Sequence, residues 1–125
     1  AFGDRVLRSL SMMLRQRLRR TDFVGRWGGE EFMVILPETG AVAALRVLNA
    51  IREAFGRVVH HSGATEVRVT FSCGVATWPV ATEPHALVEA ADAALYASKR
   101  AGRNRVSLAE PSPGGQQSKT LVRGL

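Results

Sequence analysis

The chain has 125 residues, 46% of them hydrophobic, a formal net charge of +6 and a single cysteine. That length supports one hydrophobic core and leaves no room for a second domain. One cysteine excludes an internal disulfide framework and fits a reducing compartment, and no apolar run reaches the length of a membrane span. With no leader-like segment before the fold, the chain is expected to be cytoplasmic.

The charge is concentrated at the start. Between residues 4 and 20, Arg5, Arg8, Arg15, Arg17, Arg19 and Arg20 face Asp4 alone, while the rest of the chain is nearly neutral. Val6, Leu7, Leu10, Met13, Leu14 and Leu18 recur at three-and-four spacing, which predicts an amphipathic helix with one core face and one basic face. A basic helix can serve a nucleic acid, but no aromatic platform or recognition motif accompanies this one, so no nucleic-acid partner is expected.

Residues 23–27 and 30–36 read as two strands of a hairpin with Gly28 and Gly29 between them. Paired glycines supply the positive φ angles of a two-residue turn and let a ligand approach bare backbone. Glu30 and Glu31 would open the second strand and point to opposite faces of the sheet. One carboxylate could then hold a hard cation such as Mg²⁺ while the other sits near a reacting hydroxyl or a second metal. A solvated hairpin tip is the plain alternative.

Pro37 closes the hairpin, and Thr39 is placed to cap a helix whose apolar stripe is Ala44, Leu45, Leu48, Ile51 and Phe55, with Gly56 at its end. Val67, Val69, Phe71, Cys73 and Val75 alternate as one half-buried strand running to Trp78 and Pro79. Leu87, Ala91, Ala94, Leu95 and Ser98 predict a further helix stopped by Gly102, and residues 104–108 a last short strand. From Ala109 the composition predicts a flexible tail. His60, His61 and His85 fall in loops or at a helix start without metal-ligand spacing.

Three segments carry a family resemblance. Arg19-x-x-Asp22 precedes Gly28-Gly29-Glu30-Glu31-Phe32; Val69-Thr70-Phe71-Ser72-Cys73-Gly74-Val75 follows; and Ala91-Asp92-Ala93-Ala94-Leu95-Tyr96 leads through Lys99 to Gly102-Arg103-Asn104-Arg105. In order and spacing, this resembles the GGDEF family of diguanylate cyclases in its GGEEF variant, over roughly residues 3–107. The resemblance implies an α+β fold: a nucleotidyl-cyclase-like palm with a central, antiparallel-containing sheet flanked by helices. The domain would run over residues 1–108, followed by a tail at 109–125. It would lack the family's first strand and helix, which carry a further metal motif.

The implied activity is condensation of two GTP molecules into cyclic di-GMP with release of pyrophosphate, using Mg²⁺ or Mn²⁺, with two facing domains of a homodimer each bringing one GTP. Glu30 would be the metal ligand and Glu31 would act on the attacking ribose 3′-hydroxyl. Gly28 and Gly29 would lie against the nucleotide, Asp4 would accept from the guanine edge, and Lys99 and Arg103 would contact the triphosphate. Arg19 and Asp22 would form the inhibitory site for cyclic di-GMP. A further arginine found in many members is replaced by Ala50, with Arg46 or Arg52 as substitutes. A binding module that senses cyclic di-GMP without making it is the alternative. If the family's first strand is absent, its neighbours would either close up or associate between chains, with Thr120, Leu121 and Val122 as the associating segment.

Overall fold

A computed structural model of the chain describes residues 2–26, 28–77, 83–109 and 120–124. Its elements in order are α1 (Phe2–Arg17), β1 (Phe23–Arg26), β2 (Phe32–Leu36), α2 (Ala41–Gly56), β3 (His60–Ser62), β4 (Thr65–Val67), β5 (Cys73–Thr77), α3 (Pro84–Arg100), β6 (Val106–Leu108) and β7 (Thr120–Gly124). Five strands form one sheet in the order β1-β2-β7-β5-β6, and β3 and β4 form a separate two-stranded sheet. In the main sheet only β5 and β6 run parallel. This is the mixed sheet with flanking helices that the resemblance implies.

Side-chain alternation divides the core between the two faces of that sheet. Phe32, Val34 and Leu36 of β2 pack with Val75 and Val122 against Leu10 and Leu14 of α1 and Leu48, Ile51 and Phe55 of α2. Met33 and Ile35, one residue out of phase, join Ala76 and Leu121 against Leu87 and Ala91 of α3. The period of two along β2 therefore assigns α1 and α2 to one face and α3 to the other.

The helices follow their expected spacing. In α1, Val6, Leu7, Leu10 and Leu14 are buried, with Asp4 in the first turn and Arg15 and Arg17 in the last, the charge order that suits the helix dipole. Part of its basic face is used internally: Arg5 donates to the His61 carbonyl at 2.9 Å and Arg15 to that of Val24 at 3.3 Å. Pro84 starts α3, where its missing N–H costs nothing. Among the described residues, no helix is long and apolar enough to cross a membrane.

Several local expectations change. The cap of α2 is Gly40, not Thr39. The Thr39 hydroxyl instead donates to the Pro37 carbonyl at 2.9 Å and accepts from Arg19. The single strand expected over residues 67–75 is broken: Thr65–Val67 pairs with β3, and the chain crosses residues 68–72 before β5 begins at Cys73. His60 and His61 consequently lie on β3, not in a loop. Phe71 keeps its buried place within the crossing, edge-on to Phe32 at 5.6 Å. Cys73 is buried, and burial pushes its thiol pKa up, as suits a packed core residue. The expected end of that strand at Trp78 and Pro79 lies outside the described residues.

The largest departure is β7. A flexible tail was expected from residue 109, yet residues 120–124 form the central strand, antiparallel to both β2 and β5. Neither direct closure of the flanking strands nor supply of a strand from another chain is needed. Residues 110–119 of the expected tail lie outside the described residues. All five residues of β7 are buried. Covering Leu121 on one face and Val122 on the other stabilises by about 1.5–3 kcal/mol each. The Thr120 hydroxyl donates to the Thr39 carbonyl at 2.6 Å, fastening the strand to the entrance of α2.

The backbone of α3 lies directly over Gly74 of β5. A Cβ there would sit 2.0 Å from the Ala91 carbonyl oxygen and 2.1 Å from the Leu95 nitrogen. Gly74→Ala must push the helix off the sheet and is expected to cost about 1–3 kcal/mol or more by urea denaturation. An unchanged midpoint and slope would show that α3 does not rest on this glycine.

Candidate functional site

The hairpin tip is longer than a two-residue turn. Arg26 pairs with Phe32, so five residues, 27–31, connect the strands. Gly28 and Gly29 do take positive φ, +54° and +50°, and the Glu31 N–H donates to the Gly28 carbonyl at 3.1 Å. Glu30 and Glu31 thus stand in the connection, before β2 begins, and the opposite-face argument does not apply to them. Arg26 braces this tip, donating from Nε to the Gly29 carbonyl and from Nη2 to Asp4 Oδ1, both at 2.9 Å.

Both carboxylates line one cavity of about 530 Å³. Phe2, Gly3 and Leu7 of α1 form one wall, and Lys99 and Arg103 another. The start of α1 lies close to the acids: a Cβ on Gly3 would sit 3.7 Å from Glu30 Oε1. Lys99 comes from the last turn of α3, and Arg103 follows the helix end at Gly102, where φ is +119°. Arg103 and Asn104 both hold left-handed backbone, φ +63° and +49°. That conformation is costly for arginine and is sustained by its surroundings. The Arg103 N–H donates to the Ser98 carbonyl at 2.9 Å, the Asn104 N–H to Ser72 Oγ at 3.1 Å, and Arg52 Nη1 to Asn104 Oδ1 at 2.9 Å.

Acids and cations therefore face one space, as an Mg²⁺–triphosphate requires. Mg²⁺ commonly takes one or two carboxylates and fills its remaining positions with water and substrate phosphates. The donor set at the tip fits that pattern. Among the described residues Glu30 is in no ion pair, whereas Glu31 Oε1 lies 2.8 Å from Arg123 Nη2. No group of three His, Cys, Asp or Glu side chains that could hold a metal occurs among the described residues. His60 packs its ring 5.3 Å from that of Phe55, and His85 lies 3.4 Å from Glu83.

Asp4 stands apart from this cavity. It lines a neighbouring one of about 300 Å³ with Arg8, Ser11 and Arg26, and Leu7 and Glu31 are common to both. Its hydrogen bond and charge interaction with Arg26 hold its carboxyl below the usual aspartate range.

Arg19 and Asp22 line a third cavity, about 300 Å³, sharing no residue with the first. They are paired with each other, Arg19 Nη2 to Asp22 Oδ1 at 3.2 Å, and the Arg19 backbone N–H also donates to Asp22 Oδ2 at 2.8 Å. The Asp22 side chain is only 3% exposed. Arg19 is therefore open to solvent, whereas Asp22 is enclosed and orients it. Arg19 also donates to the Pro37 carbonyl at 2.7 Å. Neither Arg46 nor Arg52 lines this cavity, and Arg52 is turned to Asn104.

Sequence reasoning missed Arg26, Asp92 and Arg123. Arg26 adjoins the glycine pair, so its position gave a signal; Arg123 lies in a segment that reads as tail and gave none.

The model of the diguanylate cyclase GGDEF domain matches residues 1–105. The chain belongs to the GGDEF family. Diguanylate cyclase DgcP of Pseudomonas aeruginosa is 40% identical over 107 residues, 86% of this chain and 16% of DgcP. Response regulator PleD of Caulobacter vibrioides is 40% identical over 109 residues, covering 83% of this chain and 24% of PleD. The chain thus spans a minor part of the curated relatives it matches. Among solved structures, the GGDEF domain of DgcB from Caulobacter crescentus, in complex with c-di-GMP, superposes with a TM-score of 0.80 at 37% identity, over 87% of this chain and 66% of that one. The active GGEEF domain of a diguanylate cyclase from Vibrio cholerae gives 0.78 at 29% identity, over 89% and 70%.

The Asp4–Arg26 pair of this GGDEF chain predicts a pH signature. Because the folded pKa of Asp4 is depressed, its contribution to stability is present above the unfolded value and is lost as pH falls through the folded one. Carboxyl-carbon NMR should place the Asp4 midpoint below the ordinary aspartate value, and Arg26→Gln should raise it. An unmoved midpoint in Arg26→Gln would mean that the two side chains do not pair in solution.

Proposed function

We propose that this chain is a diguanylate cyclase domain that works as a facing pair, each copy bringing one GTP with Mg²⁺ or Mn²⁺. The observation that carries the reading is the single cavity in which Glu30 and Glu31 meet Lys99 and Arg103. In it, Lys99 and Arg103 take the triphosphate, where fixed positive charge offsets what builds up during phosphoryl transfer. Gly28 and Gly29 leave bare backbone for the nucleotide to lie against. Glu30, with metal bound, would supply charge neutralisation at the phosphates. Glu31, beside it in the same cavity, would share in holding that cation; it also faces the ribose 3′-hydroxyl and takes its proton as that oxygen attacks the α-phosphorus of the other GTP, and pyrophosphate leaves. Asp4, beyond Glu31, accepts from the guanine edge.

One cavity with one acid pair serves one GTP, whereas a cyclic dinucleotide consumes two, which is why the reading needs a homodimer. It also sets the reaction in the cytoplasm, where GTP is supplied. Arg19, held outward by Asp22 on a separate cavity, serves as the product-binding inhibitory site, its planar fork suited to guanine and phosphate together.

Calorimetry and chromatography test the two sites separately. GTP should bind in a Mn²⁺-dependent way, and Lys99→Ala or Arg103→Ala should weaken it about ten- to a hundredfold, the loss of one charge-assisted contact of about 1.5–3 kcal/mol. Cyclic di-GMP formation by the 125-residue chain is expected to be slow, because Arg123 already engages Glu31, and absent in Glu31→Gln. Arg19→Ala should weaken cyclic di-GMP by a similar factor while leaving GTP unaffected. GTP affinity that ignores both Mn²⁺ and the Lys99 substitution would overturn the cyclase reading. Strong cyclic di-GMP binding beside it would leave the sensing module in its place.

A further inference from the structure

The central strand brings one more charged group to the tip. Arg123 pairs in register with Met33 on β2 and with Gly74 on β5, and it shares the α3 face of the sheet with Leu121. From there its guanidinium reaches between the hairpin connection and α3. Nη2 lies 2.8 Å from Glu31 Oε1 and Nη1 lies 2.9 Å from Asp92 Oδ1. Its side chain is 5% exposed, against 41% for Glu31 and 46% for Asp92. A buried cation is thus shared by two half-exposed carboxylates, one of them belonging to the candidate catalytic pair.

We propose that Arg123 is a built-in counter-ion that competes with a divalent cation for Glu31, with Asp92 as the alternative seat that lets it yield. The proposal rests on the reading of Glu30 and Glu31 as the metal and nucleotide tip. A carboxylate oxygen that accepts a short guanidinium bond has committed charge and a lone pair, and the fixed positive charge beside it repels a second cation. Glu31 can serve a cation fully only when Arg123 leans away from it, toward Asp92. Asp92 and Arg123 therefore tune the tip without lining its cavity, which makes Arg123 a positioning residue.

Titration of the full chain with Mn²⁺, read as free Mn²⁺ by electron paramagnetic resonance without nucleotide, separates this from a merely structural role. Arg123→Met should bind Mn²⁺ about tenfold more tightly or better, since one nearby positive charge is gone. Asp92→Asn should bind it more weakly, because the charge that draws Arg123 away from Glu31 is then gone. The double variant Arg123→Met with Glu31→Gln should lose the gain. A ladder-stabilising role for Arg123 would not move affinity in opposite directions in the two single variants. If Arg123→Met binds Mn²⁺ no more tightly while Glu30→Gln weakens binding, the counter-ion is disproved and the metal tip stands. If no form binds Mn²⁺, or Glu30→Gln changes nothing, the tip reading fails and the counter-ion with it. Should Arg123→Met lose its folded circular dichroism, Asp92→Asn decides: unchanged Mn²⁺ affinity there overturns the proposal.

Discussion

The pairing of β7 between β2 and β5 is the constraint on which the rest of the structure depends. β2 and β5 do not pair with each other; each completes its ladder on β7. Without those five residues, the hairpin β1-β2 and the pair β5-β6 would be two half-sheets with open edges, and an unpaired buried edge is costly. The strand fits its slot residue by residue. Val122 enters the layer beneath α1 and α2, and Leu121 the layer beneath α3. Gly124 leaves room for a neighbour, since a Cβ there would lie 2.3 Å from the ring of Phe32.

The candidate site spans that junction. Glu30 and Glu31 hang from β2, whereas Lys99 and Arg103 end the helix that rests on Gly74 of β5. One intervening strand separates β2 from β5 by two strand spacings, about 9.5 Å, so the width of the acid-to-cation cavity is set by β7 itself. Arg123 ties the same two sides together through Glu31 and Asp92. Fold and site thus share a fastening, and substitutions in the terminal strand should be felt at the hairpin tip.

What could be read in the sequence follows from how local each signal is. The three helices were legible because a three-and-four apolar spacing is repeated over several turns, and the buried sets of α2 and α3 match it at Ala44, Leu48, Ile51 and Phe55 and at Leu87, Ala91, Ala94, Leu95 and Ser98. Positive φ at Gly28 and Gly29 was legible because few other residues accept it. The length of the turn was not, because register is decided by pairing across the strands, here Arg26 with Phe32. Residues 67–75 alternate well enough for one strand, but the partners available at each end belong to different sheets. Thr120 to Gly124 is too short to show a period, and its central place comes entirely from long-range pairing. The burial of Asp22 was hidden for a similar reason, since its own turn and Arg19 enclose it.

Amide hydrogen exchange tests the role of the terminal strand most directly. If β7 joins the two half-sheets, the amides of Leu121, Val122 and Arg123 exchange only through global unfolding, with the same opening free energy as Val34 in β2 and Val75 in β5. Fast exchange across residues 121–123, with Val34 and Val75 still protected, would contradict the account, since the sheet would then stand without its central strand.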